Sequence, residues 1–199
     1  EGVVWVGTEN GFAKIVLAGG NNSAVQVKWF YNNSNDRNSL NYNLVSCFLE
    51  DPQAPEKYIW IATKGGGLNR LDKATGNFFH LTRKDGLPDD VVYGILTDEA
   101  GHIWGSTNKG IFCMSATQNK GGMAYSFRSF TKAAGLQDDE FNTGAFAKLP
   151  NRNLAFGGIN GLNIFNPASV LQSGFSPNVF ITSILIGNKA VLPNDKTGV

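Results

Sequence analysis

The sequence predicts an all-β chain built from about four repeated antiparallel sheets of four strands each. Short apolar runs bounded by Gly, Asn and Asp occur throughout the chain. No long window sustains the spacing of apolar residues that an amphipathic helix requires. A third observation, a repeated motif, shows how these strands are grouped.

The motif is a tryptophan followed by a threonine three residues later and a glycine six residues later. It occurs as "WVGTENGF" from Trp5, "WIATKGGGL" from Trp60 and "WGSTNKGI" from Trp104. A weaker copy, "AFGGINGL" from Ala155, keeps only the glycine and the apolar residue after it. The threonines are Thr8, Thr63 and Thr107, and the glycines are Gly11, Gly66, Gly110 and Gly161. The copies lie 55, 44 and 51 residues apart, and repetition at such intervals is typical of propellers and solenoids.

The strand-sized runs fit four units in chain order. The first has "VVWVGT", "GFAKIVL" and "VQVKWFY", and the second has "NLVSCFLED", "YIWIAT", "GLNRLD" and "FFHLT". The third has "DDVVYGILTD", "GHIWGST", "GIFCMS" and "AYSFRSF", and the fourth has "GAFAKLP", "NLAFGG" and "GLNIFNP". Units of this length with four strands are typical of propeller blades. The sequence therefore predicts blades of an incomplete β-propeller over residues 1–167, a linker at 168–178, and the strand "VFITSILIG" within 179–199.

Each residue of the motif has a physical reason. Sheets of a propeller pack face to face, and a tryptophan fills the space between neighbours; burial of its roughly 150 to 250 Å² contributes about 4 to 6 kcal/mol before entropy is subtracted. Threonine favours β structure, and glycine permits the positive φ of the turn into the next strand.

Composition excludes several kinds of partner. The chain has 17 Lys and Arg against 16 Asp and Glu, so its balanced charge predicts no nucleic-acid partner. No apolar run is long enough to span a membrane. Cys47 and Cys113 form neither a CxxC pair nor a cluster with His80 and His102, so we expect no metal site and no cofactor. We expect two free thiols, with a disulfide as the alternative.

The stretches "IWIATKGGGLNRLD", "DGLPDDVVYGILTDEAGHIWGST" and "FGGINGLNIFNP" resemble the two-component regulator propeller repeat. That repeat is found in the periplasmic sensor regions of hybrid histidine kinases. "PNVFITSILIGNKAV" resembles the first strand of the β-sandwich that follows the last propeller there. The resemblance lies in Gly-Leu before the inner strand, aspartate after it, and tryptophan with threonine in the next strand. The last repeat departs from it, with Ala155, Gly158 and Leu149 where the third has Trp104, Thr107 and Asp98.

The resemblance implies an excised part of a periplasmic sensor whose parent protein is anchored in the inner membrane. An oligosaccharide would bind it, shift the geometry of a dimer, and so control genes for using a polysaccharide. The chain itself would have no enzyme activity. Because an excised part leaves open sheet edges, we expect a homodimer or edge-paired self-association.

In such a fold the ligand face is formed by the turns between second and third strands and by the loops that enter the inner strands. The candidate ligand residues there are Tyr42, Asn43, Lys64, Asp90, Asn108, Lys109, Asp139 and Asn160. Amide, carboxylate and ammonium groups beside an aromatic ring can bind a sugar. The alternative is structural: Asn43, Asp90 and Asp139 would make turns with the backbone, and Lys64 and Lys109 would be solvated turn residues.

Two other function classes stay open, a protein-interaction scaffold and a glycan-active enzyme. Paired acids such as Asp89 and Asp138 could act as acid and base in glycoside cleavage. However, acids recur at equivalent repeat positions, which favours a structural role, and His80 and His102 have no serine or cysteine motif nearby. The glycines at 65–67 could suggest a phosphate loop, but no helix follows them.

Overall fold

The computed structural model describes residues 2–17, 25–172, 184–186 and 189–191. These residues form antiparallel sheets, four of which follow one another along the chain and are called sheets 1 to 4 here. The all-β prediction is confirmed. Sheets 2 and 3 have the four strands expected of a blade, whereas sheets 1 and 4 have three each among the described residues.

The strands of each sheet are consecutive in sequence, so each sheet is a simple meander. Sheet 1 consists of β1 (Val3–Gly7), β2 (Phe12–Leu17) and β3 (Val25–Phe30). Sheet 2 consists of β4 (Val45–Glu50), β5 (Tyr58–Thr63), β6 (Leu68–Asp72) and β7 (Phe78–Leu81). Sheet 3 consists of β8 (Val92–Thr97), β9 (Ile103–Thr107), β10 (Gly110–Asn119) and β11 (Gly122–Phe130). Sheet 4 consists of β12 (Phe141–Lys148), β13 (Leu154–Gly158) and β14 (Gly161–Phe165).

The segment after sheet 4 begins with a short helix, α1 (Pro167–Gln172), which overlaps the predicted linker from residue 168 onwards. Of the predicted strand "VFITSILIG", the described part is β15 (Ile184–Ile186), which pairs with β16 (Lys189–Val191). Residues 173–183, 187–188 and 192–199 lie outside the described residues. The division into blades, linker and sandwich therefore stays a prediction.

Sheets 1 to 4 stack face to face, and an apolar layer fills each of the three junctions between them. Between sheets 1 and 2 lie Phe12, Phe30, Leu40, Ile59, Ile61, Leu71 and Phe78. Between sheets 2 and 3 lie Trp60, Ala62, Leu68, Leu81, Leu87, Val92, Ile95, Ile103, Phe112 and Met114. Between sheets 3 and 4 lie Trp104, Ile111, Cys113, Phe141, Leu154 and Phe156. Trp60 and Trp104 are each 1% exposed and fill their junctions as predicted, whereas Trp5 is partly buried against the layer between sheets 1 and 2.

The threonine of the motif holds the turn that follows its strand. Its hydroxyl donates to the carbonyl of the glycine that ends the turn: Thr8 to Gly11 at 2.9 Å, Thr63 to Gly67 at 3.1 Å and Thr107 to Gly110 at 2.9 Å. Gly67, with φ 67°, and not Gly66, is thus the equivalent of Gly11 and Gly110. The motif spacing misassigned it because this turn contains one residue more than the other two.

Candidate functional site

Three of the predicted ligand residues join successive sheets through their backbones. Each precedes the inner strand of its sheet, which is the first strand of that sheet in sequence (β4, β8 or β12). Its carbonyl accepts a hydrogen bond from the N–H of the glycine that ends the threonine turn of the preceding sheet. The pairs are Asn43 with Gly11 at 2.7 Å, Asp90 with Gly67 at 2.7 Å, and Asp139 with Gly110 at 2.6 Å. One geometry therefore recurs at all three junctions.

The side chains of the same three residues also have a shared role. One oxygen of each accepts a backbone N–H from the loop that leads to the inner strand. The Asn32 N–H donates to Asn43 at 2.6 Å, the Arg83 N–H to Asp90 at 2.8 Å, and the Lys132 N–H to Asp139 at 2.6 Å. The sequence analysis gave two possible roles for Asn43, Asp90 and Asp139, ligand binding or turn formation through the backbone. These hydrogen bonds are of the second kind.

The other predicted polar residues lie at the same end of the sheets, which we call the upper end. Lys64 pairs with Val91 in an isolated bridge next to Asp90. Asn108 accepts a hydrogen bond from the Tyr93 hydroxyl, and exposed Asn160 donates its backbone N–H to Gln137 Oε1 at 2.6 Å. Lys109 is exposed, with its Nζ 3.8 Å from Asp89 Oδ2. These four residues lie in three turns, with Asn108 and Lys109 adjacent in one of them, and they do not line the clefts described below.

Tyr42 lies flat against the glycine-rich turn of sheet 2. A Cβ on Gly65 would be 2.8 Å from the tyrosine ring, and a Cβ on Gly66 would be 2.7 Å from the Tyr42 Cβ. Asn41 fixes the loop, because its Nδ2 donates to the Gly66 carbonyl at 2.6 Å. The glycines in "TKGGGL" thus make room for the loop that carries Tyr42. This packing role explains the glycines without a phosphate-binding loop.

Tyr42 and Asn43 are the two predicted residues that line a common cleft, which we call the upper cleft. It measures about 310 Å³, and its lining residues are Glu9, Asn10, Asn32, Tyr42, Asn43 and Leu44. Asn43 Nδ2 donates to Asn10 Oδ1 at 3.0 Å, so Asn43 connects both walls. No sequence signal pointed to Asn32 or Leu44, since Asn32 comes from an irregular stretch eleven residues before Asn43.

Groups in the upper cleft can still contact a ligand. Tyr42 is 43% exposed, and within the described residues neither its hydroxyl nor the Glu9 carboxylate has an intramolecular hydrogen bond. A ring face next to a carboxylate acceptor and amide groups suits a polar ligand with an apolar face. The arrangement is therefore chemically suited to a sugar.

The acids considered for catalysis are engaged in structural contacts. Asp89 Oδ1 accepts the Val91 N–H at 2.9 Å, and Asp138 Oδ2 accepts from Lys132 Nζ at 2.9 Å. The hydrogen bond from Lys132, together with the Asp139 N–H, lowers the pKa of the Asp138 carboxyl. A general acid in glycoside cleavage needs a raised pKa, so this environment does not suit that role.

Both histidines have structural partners. The two ring nitrogens of His80 lie 2.9 Å from Asn69 Oδ1 and 3.1 Å from the Arg37 carbonyl, so this ring ties an outer strand to a loop. His102 Nδ1 lies 2.9 Å from Asp98 Oδ2. Among the described residues, the hydrogen-bond partners of both rings are therefore an amide, a carbonyl and a carboxylate, and not the serine or cysteine that a hydrolytic nucleophile would require.

A second cleft, of about 350 Å³, lies at the opposite end of the sheets, and we call it the lower cleft. It is bounded by the loop after β8, the turn before β13 and helix α1, with His102, Arg152 and Leu171 among its lining residues. Sequence reasoning missed it because α1, which closes one side, was predicted as linker. The lower cleft is a second possible ligand site, so a binding experiment must distinguish it from the upper cleft.

Comparisons with known proteins link the chain to bacterial sensors, although no protein-family model matches it. It is 23% identical over 188 residues to histidine kinase P4 of Formosa agariphila, covering 94% of this chain and 13% of that protein. It also resembles two crystal structures of the extracellular domain of BT4673 from B. thetaiotaomicron, a putative one-component or hybrid two-component system. These matches have 26% and 25% identity and TM-scores of 0.63 and 0.62, and each covers 84% of this chain and 23% of the solved chain.

A third match, to the extracellular domain of the putative hybrid two-component system BT3049 from B. thetaiotaomicron, supports the fold alone, with 20% identity and a TM-score of 0.50. It covers 98% of this chain and 32% of that chain. The chain thus spans less than a third of the length of each of the relatives named here. The solved BT4673 domains are extracellular, in agreement with the location outside the cytoplasm that the sequence resemblance implies. Among the described residues, no helix is long and apolar enough to cross a membrane.

Proposed function

Starting from its resemblance to the extracellular sensor domains of hybrid two-component systems, we propose that this chain is part of the ligand-sensing region of such a sensor. Sheets 1 to 4 are then blades of a β-propeller, and the parent protein is a histidine kinase anchored in the inner membrane. The ligand is an oligosaccharide that binds in the upper cleft. Its binding controls genes for the use of the polysaccharide from which it is released.

The observation that carries the proposal is the exposed face of Tyr42 beside unpaired polar groups in the upper cleft. A pyranose has an apolar face that stacks on an aromatic ring and hydroxyls that donate to oxygens such as those of Glu9. The ring is held in place by the Gly65 turn beneath it, so little side-chain entropy is lost when a sugar binds.

The role of the chain in signalling would be energetic and not chemical. A ligand shifts an equilibrium between two signalling states only if it binds one of them more tightly. The upper cleft is formed by loops of sheets 1 and 2 together, since Asn10 and Asn43 meet across it. A change in the relative orientation of sheets 1 and 2 would therefore change the shape of the cleft. The ligand would then bind one of the two signalling states more tightly than the other.

The alternatives fit the same contacts less well. A glycan-active enzyme would need two available carboxyl groups, and Asp89 and Asp138 are engaged by Lys109, Lys132 and backbone N–H groups. A protein-interaction scaffold would not need a cleft with an aromatic floor. It becomes the better explanation if no sugar binds.

The test is a thermal-shift screen of the chain against plant and host oligosaccharides, followed by calorimetric titration of any hit. A ligand at 100 times its Kd stabilises the folded state by about 2.7 kcal/mol, which for a chain of this size raises the Tm by roughly 5 °C or more. We then expect Tyr42→Ala to weaken binding at least about tenfold, because it removes the stacking surface.

Two controls locate the site. Phe79 is 42% exposed, against 43% for Tyr42, and lies outside the cleft, so Phe79→Ala should leave the Kd unchanged. Arg152→Ala tests the lower cleft. If Arg152→Ala weakens binding and Tyr42→Ala does not, the upper cleft is the wrong site. If no oligosaccharide shifts the Tm, the sugar-sensing proposal fails and the interaction scaffold replaces it.

A further inference from the structure

The lower cleft is enclosed by three described segments of this chain. It measures about 350 Å³, and its walls are the turn between β8 and β9, the turn between β12 and β13, and helix α1. Helix α1 is held against the sheets, because Pro167 is buried and Leu171 packs on the apolar layer between sheets 3 and 4. The cleft therefore lies at the lower end of that junction, and not on an outer face of the stack.

The two turns that border the cleft have the same backbone geometry. Two hydrogen bonds close each of them: Asp98 N–H to the His102 carbonyl at 3.1 Å and Gly101 N–H to the Asp98 carbonyl at 3.3 Å in one, and Leu149 N–H to the Asn153 carbonyl at 2.9 Å and Arg152 N–H to the Leu149 carbonyl at 3.1 Å in the other. Gly101 and Arg152 thus occupy the same position, with φ of 81° and 66°.

Arginine is an unexpected residue at this position. A positive φ is unstrained for glycine and strained for a residue with a Cβ, and Arg152 is the one non-glycine residue with a positive φ in the described part of the chain. A glycine, as at Gly101, would form the same turn with less strain. The turn itself therefore does not explain the arginine, whose side chain lines the cleft.

The acidic groups at the cleft already have partners. Two backbone N–H groups donate to Asp98 Oδ1, Trp104 Nε1 donates to Oδ2, and His102 Nδ1 lies next to Oδ2, all at 2.9 Å. A carboxylate has about four acceptor positions, so Asp98 has none left for a ligand. Glu99 Oε1 lies 2.6 Å from Lys148 Nζ, which balances its charge.

Two donor groups at the cleft, in contrast, lack a partner among the described residues. The Arg152 guanidinium makes neither a hydrogen bond nor an ion pair there. Asn166 Oδ1 accepts two backbone N–H groups of α1 at 3.1 and 3.4 Å, but its Nδ2 has no acceptor. A guanidinium presents its N–H groups in a planar fork that fits the two oxygens of a carboxylate.

The rest of the lining suits an apolar group. Ala100, Pro167, Ala168 and Leu171 all line the cleft. Pockets for small molecules typically measure about 300 to 1,000 Å³ and combine apolar walls with a few polar groups that orient the ligand. A matching ligand is therefore compact, with an anionic acceptor group at one end and an apolar body.

We propose that the lower cleft binds a small organic carboxylate. Arg152 holds the carboxylate, Asn166 Nδ2 donates to one of its oxygens, and the apolar body packs against Leu171 and Pro167. This site lies at the opposite end of the sheets from the upper cleft, and its ligand differs in charge from a neutral sugar. The proposal does not depend on oligosaccharide binding.

The test is an NMR titration of the ¹⁵N-labelled chain with benzoate and, separately, with benzamide. The two probes have the same ring and nearly the same size, but only benzoate is charged. Benzoate should cause saturable shifts of the Arg152 Nε–Hε signal and of the backbone amides at 98–102 and 149–153, with a Kd in the millimolar range that suits so small a ligand. Benzamide should bind at least about tenfold more weakly, because it cannot form the ion pair.

Two variants at one position separate binding from stability. Arg152→Gly removes the guanidinium and relieves the strained φ, so it should weaken benzoate binding at least about tenfold without lowering the Tm. Arg152→Lys keeps the charge but not the planar fork, so its loss of affinity should be smaller. Lys120→Gln is the matched control, because it removes an exposed cation in the turn between β10 and β11, and it should leave the Kd for benzoate unchanged.

Three results would overturn the proposal. The first is the absence of saturable shifts with benzoate. The second is equal binding of benzoate and benzamide, which would indicate an apolar site without anion recognition. The third is a loss of affinity in Lys120→Gln as large as that in Arg152→Gly, which would indicate unspecific attraction to positive charge. None of these results bears on the oligosaccharide screen, so the two proposals can fail separately.

Discussion

Trp104 Nε1 donates a hydrogen bond to Asp98 Oδ2 at 2.9 Å, and both side chains are buried. Trp60 makes the same bond to Asp51 Oδ2 at 2.9 Å in the preceding sheet. A buried indole N–H needs an acceptor, and the aspartate that follows each inner strand provides it. Sheet 4 has lost both partners together, with Leu149 and Ala155 in their places, so neither group is left unpaired.

The pair predicts a coupling between the two residues. Asp98→Ala leaves the Trp104 N–H without its acceptor and should lower the free energy of unfolding by about 3 kcal/mol. Trp104→Phe should also destabilise the chain, but the double variant should lose less than the sum of the two. Urea denaturation of the four proteins measures this coupling. Glu99→Ala, at the exposed neighbouring carboxylate that pairs with Lys148, is the matched control and should leave the free energy of unfolding nearly unchanged. Additive losses would contradict the bond's role.

Stability should fall in acid through Asp98. Burial by itself would raise the pKa of this carboxyl, but hydrogen bonds from Trp104 and His102 outweigh burial and lower it. A carboxyl with a lowered folded-state pKa stabilises the protein above its unfolded pKa of about 3.9, and that contribution is lost as pH falls through the folded-state value. Denaturation between pH 7 and pH 2 should show the loss below about pH 4, and Asp98→Asn should flatten it. Parallel curves for the two proteins would show that other groups cause the acid sensitivity.

At the residues before the inner strands, such as Asp90, replacement by asparagine should preserve stability, whereas replacement by alanine should lower it. Asp90 accepts the Arg83 N–H with a side-chain oxygen, and Asn43 does the same for Asn32 with an amide oxygen. Asp90→Asn should therefore change the free energy of unfolding by under about 0.5 kcal/mol, whereas Asp90→Ala should lower it by about 1 to 2 kcal/mol. Equal losses in the two variants would show that the charge of the carboxylate, and not only its acceptor oxygen, stabilises the fold.

The turn glycines should differ sharply in their tolerance of a side chain. Gly110 has φ 90°, and a Cβ there would clash with the Phe130 carbonyl. Gly110→Ala should destabilise the chain by about 2 kcal/mol or more, because backbone strain and the clash add. A Cβ on Gly121 would meet no atom within 4 Å, so Gly121→Ala is the matched control and should be near neutral. Thermal denaturation of both variants tests the difference.

The two thiols should be inert in the folded chain. Both cysteines are free, and burial raises the pKa of Cys47 and of Cys113 to about 12. At pH 8 very little thiolate is present, so Ellman's reagent should label neither residue until denaturant is added, after which two thiols per chain should react. Rapid labelling of one thiol in the native protein would show that its junction opens.

The sequence was most informative where a physical constraint repeats. Short apolar runs bounded by turn residues, together with the tryptophan, threonine and glycine positions, predicted nearly every strand of sheets 1 to 4. The one misassigned position, Gly66, comes from a turn of different length, which fixed spacing does not reveal. Helix α1 was missed because its six residues are too few to show helical periodicity.

The candidate site was predicted only in part. All eight predicted residues lie at the upper end, because antiparallel connectivity brings these turns and loops to one end of each sheet. Which of them share a cleft depends on the path of residues 31–44, where Asn32, Tyr42 and Asn43 meet through contacts between residues far apart in sequence.

The sequence by itself determined the all-β class, the four repeated sheets and their buried tryptophans, because these follow from short apolar runs between turn residues and from a motif that recurs. The tertiary structure alone decided that Asn43, Asp90 and Asp139 join neighbouring sheets and that Tyr42 lies on the Gly65 turn. It also decided which face of each sheet packs on a described neighbour. These features depend on distances between segments tens of residues apart, and such distances are set by how the sheets stack and not by the pattern within any one strand.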